Sequence, residues 1–430
     1  MTDEPDRLPE IAGALRRAAA RFGTPVAVTD SASLLVAADA VGRAFPDPWL
    51  RAFSLKANDV TAIVARLGAL GFGANVVSRG EWAIAARAGI PNDRITLEGI
   101  GKSDADLRAA VRASAAGRPL RWIAVESVDE AEALARAARR LGAASTGRAS
   151  VTGPALLDVL FRLNPAVSPD THAGLAVGAQ DTKFGMAADE MTAAIELVDA
   201  APGLRARGLH VHVGSQLRSI DAWRDGARRA LALLALIRGT RRDFDTLDLG
   251  GGFPVLPLGE PSPDLARFAS EMAPLLAATP PDRRPVRLAI EPGRALVARA
   301  GYLVGRVLHV RERDGRQVVL DVGMTELIRP ALYGARHEVV ALMSRGRDWV
   351  DGATERTRVE GPLCEATDSL GEHELPRVRR GDLVVIRDTG AYAASLGSTY
   401  NGRPRPPQVL LEPDGQLTPA RRRGTQASLG

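Results

Sequence analysis

Eight short apolar runs that alternate with helical segments dominate the sequence between residues 50 and 291. The intervening segments, such as VTAIVARLGAL and SVDEAEALARAARRLG, carry apolar residues at helical spacings of three and four. This alternation predicts parallel strands covered by helices. Eight units in about 240 residues favour a closed (β/α)8 barrel over the competing doubly wound open sheet. The predicted strands are 52–56, 73–77, 94–98, 121–126, 156–164, 206–213, 246–250 and 287–291.

The sequence after Glu291 predicts a second, mostly β domain. GYLVGRVLHV, RQVVLDVG, TRVEGP and GDLVVIRD are typical of strands, and helix signals are sparse. We expect the strand PVAVTD near the N-terminus to join this domain. The barrel is assigned to residues 39–285, and the β-domain to residues 286–430 together with 1–38. Residues 142–154 and 412–430 are predicted to be a flexible loop and a flexible tail.

Composition excludes several function classes. The net charge of +5 is thinly spread and only 4% of the residues are aromatic, so a nucleic-acid-binding surface is not expected. Cys364 is the single cysteine, which precludes a disulfide within the chain and favours a reducing compartment. The N-terminus lacks the pattern of a signal peptide, and no apolar window is long enough for a membrane span. We therefore expect a soluble, cytoplasmic protein.

Polar or glycine residues stand at the carboxyl ends of the predicted strands, where barrels of this kind carry their chemistry. They are Lys56, Asn75, Glu98, Glu126, Arg162 with Asn164, His210, Gly250 to Gly252 and Glu291. A ring of such residues at one edge indicates an active site.

Lys56, in FSLKAN, is the most informative member of this ring. A single lysine at a strand end usually reaches solvent. The alternative is an amine that forms a Schiff base, as in pyridoxal chemistry. That cofactor needs an anion cradle, an acid at its pyridine nitrogen and a flat group against its ring. DLGGGFP (248–254) and EPGR (291–294) offer glycine loops for a phosphate, and Glu291 offers the acid.

His210, in HVHVGSQ, has three possible roles. It could stack on a cofactor ring, or be a core histidine with satisfied hydrogen bonds. Together with His212 it could also suggest a metal, but no further histidine, cysteine or acidic cluster has ligand spacing. No metal site is therefore predicted.

Ten motifs in order resemble the fold type III pyridoxal-phosphate decarboxylases. They are FSLKAN, NVVSRGE, FRLNP, TKFGM, GLHVHVGSQ, DLGGGFP, EPGR, LIRPALYGA, EGPLCEATD and GAYAASLGSTYNGRPRP, and they span roughly residues 20 to 412. The resemblance implies a pyridoxal 5'-phosphate enzyme with an α/β fold like that of alanine racemase. This fold combines a (β/α)8 barrel with a β-domain, and two active sites are shared across a homodimer.

The resemblance also implies roles for individual residues. Lys56 would bind the cofactor covalently, His210 would stack on its ring, and Glu291 would meet the pyridine nitrogen. Glu81 would help to order the side of the site that carries Lys56. The phosphate and its approach would be surrounded by Ser215, Gly251, Gly252, Gly293, Arg294 and Tyr392.

The residues implied for the substrate favour an amino acid with a second carboxylate. Arg294, Arg329 and Tyr333 match the group that binds the distal carboxylate, and arginine grips carboxylates bidentately. Tyr392 is also implied to bind the substrate. Glu365 would bind the distal amine. Glu365 and Cys364 would come from the partner subunit, and Cys364 would donate the proton that replaces carbon dioxide.

The implied reaction is decarboxylation of a carboxylate-bearing diamino acid, such as meso-diaminopimelate to L-lysine. Asn75 stands where the family usually has aspartate, Arg79 where it often has glycine, and Gln408 where it commonly has glutamate. These departures suit the alternative of a sibling decarboxylase in secondary metabolism, with a siderophore, polyamine or carrier-protein-linked substrate. A non-catalytic homologue that binds the cofactor is the alternative from another class.

Overall fold

The protein is described by a computed structural model of residues 6–144, 156–256, 264–278, 285–342 and 353–429. Its strands form a closed eight-stranded barrel and a separate nine-stranded sheet. The predicted fold class, a barrel with a mostly β domain, is therefore confirmed. Residues 145–154 of the predicted loop lie outside the described residues.

The first described elements divide between the two domains. They are helix α1 (Leu8–Phe22), strand β1 (Val26–Asp30) and helix α2 (Ser31–Ala44). Strand β1 joins the nine-stranded sheet, as predicted from PVAVTD. Helix α2 instead buries Leu34, Ala38 and Val41 in the core of the barrel. The assignment of residues 31–38 to the β-domain is therefore wrong, because the apolar face of α2 packs on the other domain.

All eight predicted barrel strands form. They are β2 (Leu50–Ser54), β3 (Gly73–Val76), β4 (Ile95–Leu97), β5 (Trp122–Val125), β6 (Leu157–Leu163), β7 (Leu204–Val211), β8 (Thr246–Asp248) and β9 (Arg287–Ile290). Neighbouring strands are parallel, and β9 pairs with β2 through Leu50 and Ala289 to close the barrel. The barrel thus extends past residue 285, where the sequence assignment ended it, because closure requires β9.

Helices cover the barrel. They are α3 (Thr61–Ala69), α4 (Arg79–Arg87), α5 (Asp104–Ala115), α6 (Val128–Ala144), α7 (Glu190–Asp199), α8 (Asp221–Arg238), α9 (Leu265–Ala278) and the short α10 (Arg294–Val297). Helix α5 shows how local sequence sets a boundary, because Ser103 and Asp106 form a reciprocal capping box at its start. None of the helices in these described stretches has the length and apolar character needed to cross a membrane.

The β-domain contains the remaining elements. They are β10 (Gly301–Glu312), β11 (Arg316–Leu320), α11 (Arg329–Tyr333), β12 (Val339–Ala341), β13 (Thr354–Glu360), β14 (Ser369–Pro376), β15 (Leu383–Ile386), β16 (Gln408–Leu411) and β17 (Leu417–Arg421). The four strands predicted after Glu291 are all present, as β10, β11, β13 and β15. Strand β1 lies between β10 and β16, so both ends of the chain build one sheet.

The prediction of a flexible tail over 412–430 is wrong. Strand β17 pairs antiparallel with β16. Beyond it, the Arg423 guanidinium donates to the carbonyl oxygens of Phe22 and Pro25, at 3.1 and 2.8 Å. The polar composition of this segment is typical of a flexible tail. Its order comes from contacts with a segment about 400 residues away, which local sequence patterns do not reveal.

Candidate active site

A cavity of about 420 Å³ lies at the carboxyl ends of the barrel strands and reaches the β-domain. Ten of the predicted site residues line it: Lys56, His210, Ser215, Gly251, Gly252, Glu291, Gly293, Arg294, Tyr333 and Tyr392. The expectation that the strand ends converge on one site is therefore met.

Lys56 lies on a single helical turn, Leu55–Ala57, that follows β2, and it lines the cavity. Two hydrogen bonds tie this turn to the β-domain. The Tyr392 N–H donates to the Ala57 carbonyl at 2.7 Å, and the Ser395 hydroxyl donates to the Lys56 carbonyl at 2.8 Å. Tyr392 has a φ of 59°, which is uncommon for a residue with a side chain. The two domains thus jointly fix the backbone that carries the lysine.

The glycine loop after β8 allows backbone to approach the cavity closely. Gly252 has a φ of +103°, and a Cβ there would lie 2.8 Å from the Gly214 carbonyl oxygen. A Cβ on Gly251 would lie 2.6 Å from the Glu291 carbonyl oxygen. Neither position can accept a side chain without moving backbone. The loop therefore forms a bare backbone wall, of the kind that suits a phosphate.

Three buried carboxyl groups lie at the strand ends near His210; we call Glu98, Asp248 and Glu291 the carboxylate cluster. His210 Nε2 lies 3.3 Å from a Glu98 oxygen and 3.2 Å from a Glu291 oxygen. Burial and repulsion from Glu291 raise the pKa of Glu98 to about 8. The same causes raise the pKa of Asp248 well above its usual range. Glu98 is therefore mostly protonated at pH 7, which limits the net negative charge of the cluster.

The two histidines of HVHVGSQ differ in their hydrogen bonds. His212 Nδ1 accepts the Gly251 N–H at 3.1 Å, whereas His210 Nδ1 has no hydrogen-bond partner among the described residues and Nε2 faces only the Glu98 and Glu291 oxygens. Burial lowers the pKa of His210 to about 4 and that of His212 well below its ordinary value. Both rings are thus neutral at pH 7. A fully buried imidazole whose Nδ1 lacks a hydrogen-bond partner indicates that a ligand belongs beside His210.

The tertiary structure also groups potential metal ligands that spacing along the chain did not indicate. Ligand atoms of Glu98, His210 and Glu291 lie within 4.8 Å of one another. These three groups lie at the ends of strands that are far apart in sequence, so spacing along the chain does not predict that they meet. The cluster could accept either a cation or a protonated ring nitrogen.

Two buried arginines, the arginine pair Arg294 and Arg329, provide the opposite charge. The Arg294 guanidinium lies 4.7 Å above the Tyr392 ring and donates to the Ser215 hydroxyl at 3.2 Å. Arg329 lies on the same short helix, α11, as Tyr333, which lines the cavity. Burial and the charge of Arg294 lower the pKa of Arg329 to about 10. Neither arginine has a carboxylate within ion-pair distance among the described residues, which favours an anionic ligand between them.

Four predicted site residues do not line the cavity. Arg329 is buried beside it, as described above. The Glu81 carboxylate accepts the N–H of Val77, a residue that does line it, at 2.9 Å. Cys364 and Glu365 are exposed. They are held by residues of the same chain, because the Cys364 N–H donates to Asn401 and the Glu365 carboxylate accepts the Tyr400 hydroxyl.

Of the three departures from the family pattern, only Asn75 lies in the cavity. Its amide accepts from the Ser54 hydroxyl at 3.1 Å and donates to Thr96 at 3.2 Å. Arg79 instead bonds Asp106 at 2.9 Å. Gln408, on β16, does not line the cavity. Two of the departures therefore do not touch the pocket.

Sequence reasoning missed part of the wall. Gly174, Leu175 and Phe184 come from the long connection between β6 and α7, which has no clear periodicity. Arg162, noted only as a strand-end residue, forms a buried ion pair with Glu126 at 2.7 Å and lies over the Phe184 ring. The TKFGM motif, which contains Phe184, was the one sequence feature that pointed to this connection as part of the site.

Comparison with known families assigns the chain to a class. Residues 32–298 match the family described as pyridoxal-dependent decarboxylase, pyridoxal binding domain. The matched range contains the barrel, the carboxylate cluster and Lys56. The chain belongs to the pyridoxal-dependent decarboxylases.

The curated relatives it resembles are diaminopimelate decarboxylases. That of Actinosynnema pretiosum is 40% identical over 421 residues, covering 96% of this chain and 89% of the relative. That of Zymomonas mobilis is 33% identical over 411 residues, covering 94% and 90%. Among solved structures, diaminopimelate decarboxylase from Helicobacter pylori complexed with L-lysine has a TM-score of 0.85 at 27% identity, covering 96% of this chain and 98% of that one.

The cavity fits the pyridoxal cofactor of the family. It offers a lysine amine, a glycine wall without side chains and a fully buried histidine whose Nδ1 lacks a hydrogen-bond partner among the described residues. One Glu291 carboxylate oxygen is likewise buried without a hydrogen-bond partner. A planar, anionic, heteroaromatic ligand would satisfy these groups together.

Proposed function

We propose that this enzyme decarboxylates meso-diaminopimelate to L-lysine with pyridoxal 5'-phosphate. The single observation that carries the choice of substrate is the arginine pair: two buried guanidiniums, Arg294 lining the cavity and Arg329 beside it, without a carboxylate at ion-pair distance among the described residues. Leaving one of them uncompensated is costly, so a substrate with a second carboxylate suits the site. The names of the relatives point to the same substrate.

Residues of the barrel would hold the cofactor. Lys56 would bind it covalently, and His210 would lie against its ring. Glu291 would face the ring nitrogen. The glycine wall, with Ser215 and Arg294, would face its phosphate. When bound, the cofactor withdraws electrons from the bond to the departing carboxylate.

The arginine pair would orient the substrate. Arg329, with Tyr333, would grip the carboxylate of the distal amino acid head by a charge-assisted fork. Arg294 would serve both the substrate and the approach to the phosphate. Because this binding is remote from the reacting bond, its energy can fix the bond in the reactive orientation. Glu81, which accepts the Val77 N–H, would hold Val77 in place in the part of the cavity lining near Lys56.

We further propose a cytoplasmic homodimer in which each subunit completes the site of the other. Cys364 and Glu365 are exposed on their own chain and absent from its cavity lining, as expected of residues offered to a partner. The partner's Cys364 would donate a proton to the substrate carbon after carbon dioxide leaves. The partner's Glu365 would bind the distal amine. The sole cysteine of the chain also suits a reducing compartment.

A substrate panel tests the proposal. Carbon dioxide release is measured with diaminopimelate, lysine, ornithine, arginine and carboxynorspermidine, and meso-diaminopimelate should be preferred. Preference for another compound of the panel would identify the enzyme as a sibling decarboxylase. Asn75, which lines the cavity where the family usually has aspartate, is the departure that suits this alternative.

Covalent attachment gives an independent test. The chain has three lysines, Lys56, Lys102 and Lys183. Lys102 is fully buried and ion-paired with Glu130 at 3.0 Å, so it serves as an internal control. Borohydride reduction and peptide mapping should place the pyridoxyl group on Lys56 alone. Lys56→Ala should lower turnover by on the order of 10³-fold or more. Label on another lysine would refute the assigned role.

A further inference from the structure

A buried histidine lies directly against the Arg329 guanidinium. His337 Nε2 and Arg329 Nη1 are 2.6 Å apart, and His337 Nδ1 lies 3.0 Å from the Arg387 carbonyl oxygen. Only 3% of His337 is exposed. Neither the catalytic proposal nor the motifs of the sequence use this residue.

The chemistry of the neighbours fixes the tautomer of His337. A guanidinium can only donate, so Nε2 must accept from Arg329. A carbonyl oxygen can only accept, so the proton must sit on Nδ1 and point to Arg387. His337 is therefore neutral. Burial and the charge of Arg329 agree with this, because they lower the pKa of His337 to about 4.

The backbone holds the ring precisely. His337 lies two residues before β12, and Arg387 immediately follows β15. The strands pair antiparallel, with Val339 opposite Ile386, and the Arg387 N–H extends the ladder by donating to the Glu338 carbonyl at 3.0 Å. The carbonyl that orients the imidazole is therefore part of a sheet and cannot move freely.

A neutral acceptor at this position has a specific consequence. Buried arginines are usually paired with carboxylates, which cancel their charge. A neutral imidazole restrains the guanidinium by a hydrogen bond but adds no negative charge that would offset the charge of the guanidinium. The charge then remains available to an anion in the cavity.

We propose that His337 is a positioning and specificity-determining residue, which aims Arg329 at the distal carboxylate of the substrate while leaving the guanidinium charge free for it. The inference rests on the proposed function, in which Arg329 binds that carboxylate. His337 itself need not touch the substrate.

Two ligands of the holoenzyme isolate this role. L-lysine, the product, retains the distal carboxylate, whereas cadaverine is the same diamine chain without it. Binding of each is measured by calorimetry, so the test does not depend on turnover. The ratio of the two dissociation constants then reports recognition of the carboxylate alone.

A matched pair of variants separates the hydrogen bond from the charge. His337→Gln offers Arg329 a neutral acceptor and should keep L-lysine affinity within about threefold of the unmodified enzyme. His337→Glu offers an isosteric but charged acceptor and should weaken L-lysine about 10- to 100-fold, because it cancels the charge of Arg329. Cadaverine affinity should change by less than about threefold in both.

His337→Asn supplies a second measurement, because its shorter amide can reach Arg387 but not Arg329. It should also weaken L-lysine about tenfold or more. The inference is overturned if the Gln and Glu variants bind L-lysine alike, or if L-lysine and cadaverine weaken together. Melting temperatures identify any variant that fails to fold, and the remaining variants then decide. If the unmodified enzyme does not decarboxylate diaminopimelate, the proposed function fails while these binding ratios still test His337.

Discussion

The carboxylate cluster and the arginine pair lie at or beside one cavity, which Glu98, Glu291 and Arg294 line, yet burial affects the two groups in opposite ways. Burial raises the pKa of Glu98 to about 8 and that of Asp248 above its usual range, and it lowers the pKa of the neighbouring His210 to about 4. Arginine cannot lose its proton at neutral pH, so Arg294 and Arg329 remain charged while buried.

The difference shows how the cavity selects a ligand. The carboxylate cluster can adjust its charge to a cationic or protonated ring by moving a proton. The arginine pair has no such freedom, and its charge is balanced only by an anion. We infer that the cluster tolerates several protonation states of the cofactor, whereas the arginine pair discriminates strictly between substrates with and without a second carboxylate.

Removing an arginine should give the largest effect. Arg329→Ala should lower kcat/KM for meso-diaminopimelate by about 10³-fold, because a desolvated, charge-assisted contact is lost. The yellow absorption of the cofactor should persist. Steady-state kinetics and absorption spectra measure both. Arg79→Ala is the control, since Arg79 pairs with Asp106 away from the cavity. Bleaching of the cofactor, or unchanged turnover, would count against the assignment.

The carboxylate cluster should respond unequally to neutralisation. Glu291→Gln should lower kcat by about 10²-fold, because a carboxylate facing the ring nitrogen is lost. Glu98→Gln should change kcat less than about threefold at pH 7, since a pKa of about 8 already keeps Glu98 mostly neutral there. Kinetics of both variants at pH 7 provide the measurement. Equal losses would show that the two carboxyl groups act as one unit.

His337 should produce a smaller effect on stability. Its folded pKa of about 4 lies below its ordinary value of 6.5, so the unfolded chain binds the proton more readily. The stabilisation from neutral His337 is therefore fully present above about pH 6.5 and is lost as the pH falls toward 4. At about 1.4 kcal/mol per pKa unit, the loss should amount to about 3 kcal/mol. Urea titrations at several pH values, compared with His337→Gln, measure it. Identical pH dependence in both proteins would contradict the prediction.

The sequence predicted correctly the features that depend on local apolar patterns or on the position of a residue at the end of a strand. The eight barrel strands followed from apolar runs, and Lys56, His210 and Glu291 followed from their places at the ends of those runs. It failed at the limits of the domains, because helix α2 and strand β9 pack according to distant partners. It also failed for β17, whose pairing with β16 depends on the assembled sheet.

The sequence by itself determined the barrel and the lysine that lines its cavity, because apolar periodicity and parallel pairing place strand ends at one edge. Only the tertiary structure decided the electrostatics. Asp248 lies 150 residues after Glu98 and 43 residues before Glu291 along the chain, yet all three lie near His210. The pairing of β12 with β15 likewise brings His337 to the Arg387 carbonyl, and Arg329 meets its imidazole there. Protonation and charge balance depend on distances of a few ångströms, which strand packing sets and sequence spacing does not.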